Sequence, residues 1–316
     1  HPDSFIVVTG CYAQTAPGEV MNLQGVDLVL GTQDRGRILE LIEEAKRRRQ
    51  PLNAVRRIWD AKTFEELPLL EGESRTRATL KIQEGCNQFC TYCIIPYARG
   101  PVRSRQPENA LAEARRLVAA GYKEIVLTGI HTGAYGQDLG GEWNLARLVR
   151  ELTQIEGLQR LRLSSIEPME FTPELLEEIL SNPVVCPHFH IPLQSGCDEI
   201  LAKMKRPYSV EDYANLLQAI RRRRPLAAIT TDVIVGFPGE TEEQHRQSLD
   251  FVEKCEFAGI DVFPYSPRKG TPAAKFEGQL PNKEKQRRAR EMGEVARASK
   301  ARYVRQFIGK TVGVLV

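Results

Sequence analysis

The sequence predicts an α/β protein centred on a partial (β/α)6 barrel, and three observations carry that prediction. Short apolar strand-like runs alternate with amphipathic stretches from about residue 77 to residue 266. Six such pairs imply a parallel sheet with right-handed crossovers. The same zone is too short for a closed eight-stranded barrel, so the sheet is expected to curl without closing.

Strands are predicted at 78–83, 124–128, 159–164, 187–191, 228–235 and 258–265. Between them, Leu145, Leu148, Val149, Leu152 and Ile155 recur at helical spacing and define one buried face. Pro107 and Pro173 suit the first position of a helix, and Gly121 the residue just beyond one. Thr241 followed by Gln244 has the spacing of a capping box. Ahead of the barrel, residues 1–72 read as a small α/β layer: a strand at Phe5–Thr9, a segment through Gln14–Gln24, a strand at Asp27–Gly31 and a helix over 34–49. The polar stretch Glu71–Arg75 reads as a linker into the barrel zone, residues 73–266. Residues 267–310 are basic and mostly helical, with one long segment at Asn282–Gln306. The apolar run Thr311–Val316 then reads as the start of a strand with no partner after it. With His1 opening almost directly into a strand, both ends are expected to be cut. Residues 1–72 should then be the least stable zone, with Ile6, Val8 and Leu28 short of cover.

At 316 residues, 41% apolar and 27% charged, the chain has the composition of a globular enzyme. The net charge of +3 does not announce nucleic-acid binding by itself. Arginines cluster at Arg47–Arg49, Arg56–Arg57, Arg221–Arg224 and Arg287–Arg290; such runs are commonly solvated helix faces, and they also suit phosphate contacts. No apolar run reaches the roughly 18 residues of a membrane span, and no signal peptide is visible. The expectation is therefore a cytoplasmic protein without a membrane partner.

Seven cysteines are present, and Cys86, Cys90 and Cys93 stand within eight residues in C-x-x-x-C-x-x-C spacing. That is too close for a disulfide framework and suits metal ligation in a reducing compartment. Zinc sites usually combine two cysteine or histidine pairs into four ligands. Three clustered thiolates instead suit an iron–sulfur cube with one iron left open. The loop follows the first barrel strand, on the rim where barrel proteins build their sites. Other strand ends on that rim supply further candidates. Gly129 and His131 follow the second strand; Ser165 and Glu167 end the third, where a carboxylate suits a ribose hydroxyl. Gln194 ends the fourth strand, Gly236 the fifth, where a glycine lets backbone approach an adenine, and Tyr265 the sixth. Tyr92 could stack on adenine or pack in the core. His131 reads equally as a loop histidine, and Cys186, Cys197 and Cys255 as structural.

The run from Glu84 to Gly100, with an aromatic residue before Cys93 and Arg103-Ser104-Arg105 after it, resembles the radical S-adenosylmethionine (SAM) methylthiotransferases. So do Gly10–Gln14, Gly31–Arg35, His190–Gly196 and Asp232–Glu242. The run Gly309–Gly313 looks like the opening of that family's RNA-binding TRAM domain. The resemblance implies a 4Fe-4S cluster on Cys86, Cys90 and Cys93 that binds SAM, and a second 4Fe-4S cluster in the amino-terminal domain. Cys11 matches one ligand of that second cluster, and its two companions would lie upstream of this chain. It further implies a 5′-deoxyadenosyl radical that activates the acceptor carbon for methylthio transfer. The chain alone is then expected to cleave SAM without completing transfer.

Of the family's subgroups, the one that modifies N6-threonylcarbamoyladenosine in tRNA is matched best, through Thr128–Gly133, Cys93–Gly100 and Gly31–Arg35. The implied partners are tRNA and an electron donor such as flavodoxin or ferredoxin. The alternatives are the same chemistry on isopentenyl-adenosine of tRNA or on a ribosomal-protein aspartate. A non-catalytic metal- or RNA-binding module is the alternative of another class.

Overall fold

The computed structural model describes residues 4–67 and 76–315. The linker expected at Glu71–Arg75 lies outside them. The amino-terminal layer is a parallel sheet of β1 (Val7–Thr9), β2 (Leu28–Leu30) and β3 (Leu52–Asn53), with β2 in the middle. Two short helices, α1 (Cys11–Thr15) and α2 (Pro17–Met21), cover one face through Ala13 and Val20. The helix α3 (Ile38–Arg48) covers the other, packing Leu41 on Leu28 and Leu30. Leu28 is therefore fully buried, contrary to expectation, because α3 supplies the cover; Ile6 remains exposed. Two-residue β3 escaped the sequence reading because so short a run carries no alternation.

The barrel begins at β4 (Arg77–Lys81) and continues into a two-residue antiparallel pair, β5 (Gln83–Glu84) with β6 (Arg103–Ser104). Between these two lie the clustered cysteines and the short helix α4 (Ile95–Arg99). Strand–helix pairs follow. These are α5 (Pro107–Ala119), β7 (Glu124–Thr128) and α6 (Leu145–Thr153), then β8 (Arg160–Leu163), α7 (Pro173–Ser181) and β9 (His188–His190). After two helices, α8 (Asp198–Lys203) and α9 (Val210–Arg223), come β10 (Ala228–Val235), α10 (Glu242–Lys254) and β11 (Gly259–Pro264). The long helix α11 (Asn282–Arg305) packs back on β11.

The order β4-β7-β8 and the order β9-β10-β11 are parallel throughout. A bridge between Leu161 and Val185, together with Ile166 N–H donating to His190 O at 3.1 Å, joins the two trios. The result is the six-stranded open barrel that the sequence predicts, with every strand within two residues of its expected bounds. Along β10 burial alternates at every residue: Ile229, Thr231, Val233 and Val235 are buried beneath helices, and their neighbours face the concave side. That alternation divides the sheet. Its convex face joins one large apolar core with Leu80, Ile125, Leu161 and Phe189. Each fully buried side chain of this kind contributes about 1.5–3 kcal/mol. The concave face stays polar, with Arg162 donating to Glu124 at 2.7 Å and His190 3.2 Å from Asp232.

The local signals hold. Pro107 and Pro173 open their helices, Gly121 takes φ +99° past α5, and Thr241 with Gln244 forms the capping box. A second box at Ser209 and Asp212 was not anticipated. The run Thr311–Leu315 forms no strand, and Gly313 O accepts from Arg160 Nη2 at 3.1 Å. A strand needs a neighbour, and none of the described residues pairs with this one.

The arginine runs divide. Arg223 pairs with Glu177, Arg224 donates to Leu180 O and Asn182 O, and Arg287 pairs with Glu242, Glu284 and Glu291. These side chains tie helices together and are not free for phosphate. Arg288 is nearly buried between α10 and α11 and donates to the equally buried Glu240 carboxylate at 2.7 Å. Replacing Arg288 by Met leaves that carboxylate without its counter-ion, which should cost about 3–5 kcal/mol. Urea denaturation of the variant checks this; a loss under 1 kcal/mol would show that Glu240 finds other partners.

Candidate active site

The cysteine loop is shaped by two glycines. Gly85 takes φ +77°, and a Cβ there would lie 1.8 Å from Pro101 O. Its neighbour Cys86 donates its N–H to Gly100 O at 3.0 Å, so the loop's entry and exit lie against each other. Further along, Thr91 N–H donates to Met204 O and Thr91 Oγ1 to Lys203 O, which moors the loop to the end of α8. Phe89 adopts φ +48°, unusual for an aromatic residue, and its ring stacks on Trp59 at 5.6 Å.

Cys90 is buried, while Cys86 and Cys93 are half-buried. No three His, Cys, Asp or Glu groups among the described residues converge as a single metal ion would require. The three thiols are instead spread along one loop and still feel one another's charge. Burial first, with Cys90 and Cys86 nearby, pushes the Cys93 thiol up to about 11. Left alone, such a group stays protonated; an iron or other thiophilic metal would draw it into the thiolate form. Each of the other two sulfurs faces a nitrogen. Cys86 Sγ lies 3.6 Å from His131 Nδ1, and Arg206 Nη1 donates to Cys90 Sγ at 3.2 Å. A soft thiol set with cationic neighbours and a polar concave face beside it fits an anionic iron–sulfur cluster with a polar ligand.

His131 is brought to the cysteines, and a second partner stands behind it: its Nε2 lies 2.6 Å from Glu170 Oε1. The two are close but poorly aligned, since Nε2 and Glu170 Oε2 are both buried without a hydrogen-bond partner. Burial alone would lower the His131 pKa; Cys86 and Glu170 outweigh it and raise it to about 10. Gly129 sits 3.1 Å, at its would-be Cβ, from the Gln83 side chain, which accepts the His131 N–H at 2.7 Å. The tight approach that glycine permits is thus to protein.

The other rim residues differ from expectation in what they touch. Glu167 gives one carboxylate oxygen to Arg206 and so is not wholly open to a ribose. Ser165 is exposed. Gln194, at φ +69°, uses its backbone to extend the sheet, accepting from Ile234 N–H and donating to Asp232 O. Gly236 approaches Lys285, 2.7 Å from its would-be Cβ, and its N–H goes to Glu240. Tyr265 is buried with an unpartnered hydroxyl, and Lys285 Nζ sits 5.1 Å over its ring. Tyr92 is half-buried beside Arg206, and its desolvation raises its pKa well above the ordinary phenol. The ring packs against the buried cluster that contains Phe237 and Tyr265. In the amino-terminal layer, half-buried Cys11 accepts from Arg99 Nε at 3.1 Å and therefore faces α4 of the barrel. Cys186, Cys197 and Cys255 are buried, and burial pushes Cys255 up to about 12, as structural thiols should be.

Arg206, Tyr208 and Glu170 were missed by sequence reading. Glu170 lies in a short loop turn, and Arg206 sits in a basic run, Lys203–Arg206, that looks like a solvated helix end. Only Pro207 hinted that the chain turns there.

Comparison with known proteins agrees with this geometry. Residues 80–252 match the model of the radical SAM superfamily. The chain is 46% identical over its full length to threonylcarbamoyladenosine tRNA methylthiotransferase MtaB of Bacillus subtilis, covering 70% of that protein. It is 40% identical to tRNA-2-methylthio-N(6)-dimethylallyladenosine synthase of Clostridium novyi, again over 100% of the chain and 70% of the relative. Among solved structures, the radical SAM methyltransferase TsrM of Kitasatospora setae shares the fold, with a TM-score of 0.67 at 18% identity over 86% of this chain and 59% of its own. The protein is a radical SAM enzyme. Within that superfamily it belongs to the methylthiotransferase family, and its cofactors are a 4Fe-4S cluster and SAM.

The contact at Gly85 yields a test. Gly85→Ala forces a left-handed alanine, a strain of about 1–3 kcal/mol, and drives its methyl into Pro101. Iron bound after anaerobic reconstitution should fall well below wild type while far-ultraviolet circular dichroism is retained. Normal iron content would mean that the loop relaxes freely.

Proposed function

We propose that this protein adds a methylthio group to N6-threonylcarbamoyladenosine in tRNA. The observation that carries the choice of acceptor is the full-length 46% identity to a relative of that name, against 40% to a dimethylallyladenosine synthase. The run Thr128–Gly133, which resembles that subgroup most closely, supports the same choice.

In this reading Cys86, Cys90 and Cys93 hold the SAM-binding cluster, and residues 73–266 form the barrel that presents it. When bound and reduced, the cluster and SAM supply a 5′-deoxyadenosyl radical that activates the acceptor carbon. The protein's own part is placement. Gly85 and Gly100 fold the ligand loop, Met204 and Lys203 hold it to α8, and the polar concave face, with His190, Asp232 and Arg162, is where SAM and the adenosine would lie. Gly129, His131, Ser165, Glu167, Gln194 and Tyr92 lie along the rim that SAM would occupy; Gly236 and Tyr265 act less directly, through Lys285. Cys11, turned toward α4, is a ligand of the auxiliary 4Fe-4S cluster with partners from outside residues 4–67. Residues 1–72 belong to that cluster's domain, 267–310 brace the barrel, and 311–316 lead into an RNA-binding domain. The electron donor is a flavodoxin- or ferredoxin-like protein, and the reaction takes place in the cytoplasm; no helix among the described residues is long and apolar enough to cross a membrane.

Two measurements test this reading. Reconstituted protein should bind about four irons through these thiols and cleave SAM under reduction, and Cys90→Ala should lose cleavage at least a hundredfold with its fold intact. SAM cleavage unchanged in that variant sinks the ligand assignment. Mass spectrometry of tRNA nucleosides from cells lacking the protein should show loss of the methylthio form of N6-threonylcarbamoyladenosine alone. Loss of methylthio-isopentenyl-adenosine instead would move the acceptor to the other tRNA subgroup.

A further inference from the structure

Arg206 is a buried cation that the reading above leaves without a task. It stands just past α8, and local geometry fixes it there. Lys205 adopts φ +60°, Arg206 N–H donates to Leu201 O and Lys205 N–H to Ala202 O. Those paired bonds form a Schellman motif with lysine in the left-handed position, and Pro207 prevents the helix from resuming. The side chain of Arg206 is only 2% exposed. Its fork reaches three partners. Nη1 donates to Cys90 Sγ at 3.2 Å, Nε to Tyr208 Oη at 2.9 Å, and Nη2 pairs with Glu167. Tyr208 in turn donates to Leu193 O at 2.8 Å, so its oxygen is held in place to accept from Nε. An arginine guanidinium stays protonated in proteins, and here Glu167 is its counter-ion.

We infer that Arg206 is a positioning residue that sets the reduction potential of the cluster through Cys90, while clamping Glu167 at the end of β8. The inference rests on the assignment of Cys86, Cys90 and Cys93 as cluster ligands. Its physical basis is simple. Reduction adds one electron, and hence one negative charge, to the cluster. A donor on the ligating sulfur withdraws electron density from the iron, and a desolvated positive charge beside it favours the reduced form. Both effects act in the same direction and raise the potential, bringing the cluster within reach of its electron donor. Lysine cannot replace the fork, because a single ammonium does not reach Cys90, Tyr208 and Glu167 together. The same guanidinium links the ligand loop to the rim carboxylate, so a displacement on one side is felt on the other.

The experiment is an anaerobic redox titration of the reconstituted protein, followed by electron paramagnetic resonance of the reduced cluster, with SAM affinity measured separately by calorimetry. Wild type, Arg206→Gln, Arg206→Lys and Tyr208→Phe are compared at equal iron content. Arg206→Gln should lower the reduced-to-oxidised ratio at fixed potential about tenfold, a midpoint more negative by about 59 mV for a one-electron couple. Arg206→Lys should fall between that variant and wild type, and Tyr208→Phe should shift the midpoint in the same direction but less. If Arg206→Gln fails to retain its cluster, Arg206→Lys carries the test. A wild-type midpoint in the cluster-bearing Arg206 variants overturns the inference; if SAM affinity alone falls, Arg206 serves the SAM carboxylate instead. Absence of any cluster in the wild-type protein would be a different failure, that of the ligand assignment itself.

Discussion

The apolar seam between the convex face of the six-stranded sheet and its helices is the constraint on which the rest of the molecule depends. Strand alternation sends Leu80, Ile125, Leu161, Phe189 and Val233 into that seam. With those residues committed outward, the intervening ones have to face the concavity. That is why Glu124, Arg162, His190 and Asp232 give the concave side a polar face, with Glu124 itself buried, in a protein whose core is conventional. Because all six strands are parallel, their carboxyl ends lie on one rim, and every loop that carries chemistry arrives at the same place.

Around that rim the protein uses backbone more than side chains to make its shape. Gly85 and Gly100 let two stretches of chain touch, and Thr91 is moored by carbonyls at the end of α8. Left-handed residues at Phe89, Gln194 and Lys205 turn the chain without glycine. Such residues carry strain, which the surrounding bonds must hold. Lys205 illustrates how strain serves placement: its conformation ends α8 and aims Arg206 at Cys90. The amino-terminal layer joins the same neighbourhood through Thr32, which donates to Ala98 O at 2.6 Å, and through Arg99, which reaches Cys11. Cysteine loop, barrel rim and amino-terminal layer thus meet at α4.

Much of the positive charge that looked available for RNA in the sequence is used internally. Arg223, Arg224, Arg287 and Arg288 bind helices to each other. Of the rest, Arg47 and Arg56 are exposed on the amino-terminal layer, where Arg56 pairs with Asp34, and Arg222 and Arg290 are exposed on α9 and α11. Charge counts in a sequence do not distinguish the two cases, since an arginine paired across helices and one facing solvent occupy the same kind of helical position.

Sequence alone determined the sheet, the rim and the cysteine loop. Alternation along β10, helical spacing in α6, and prolines and glycines at helix ends are local properties, encoded by residues a few positions apart. The spacing of Cys86, Cys90 and Cys93 is local in the same sense. Tertiary structure decided what the rim residues touch. Gly236 meets Lys285, Glu167 meets Arg206 and His131 meets both Cys86 and Glu170, each pair being separated by 39 residues or more. Contacts of that separation depend on how far the sheet curls and on where α8 and α11 pack. No periodicity in the chain records either, because the curl is set by the whole seam and not by any one segment.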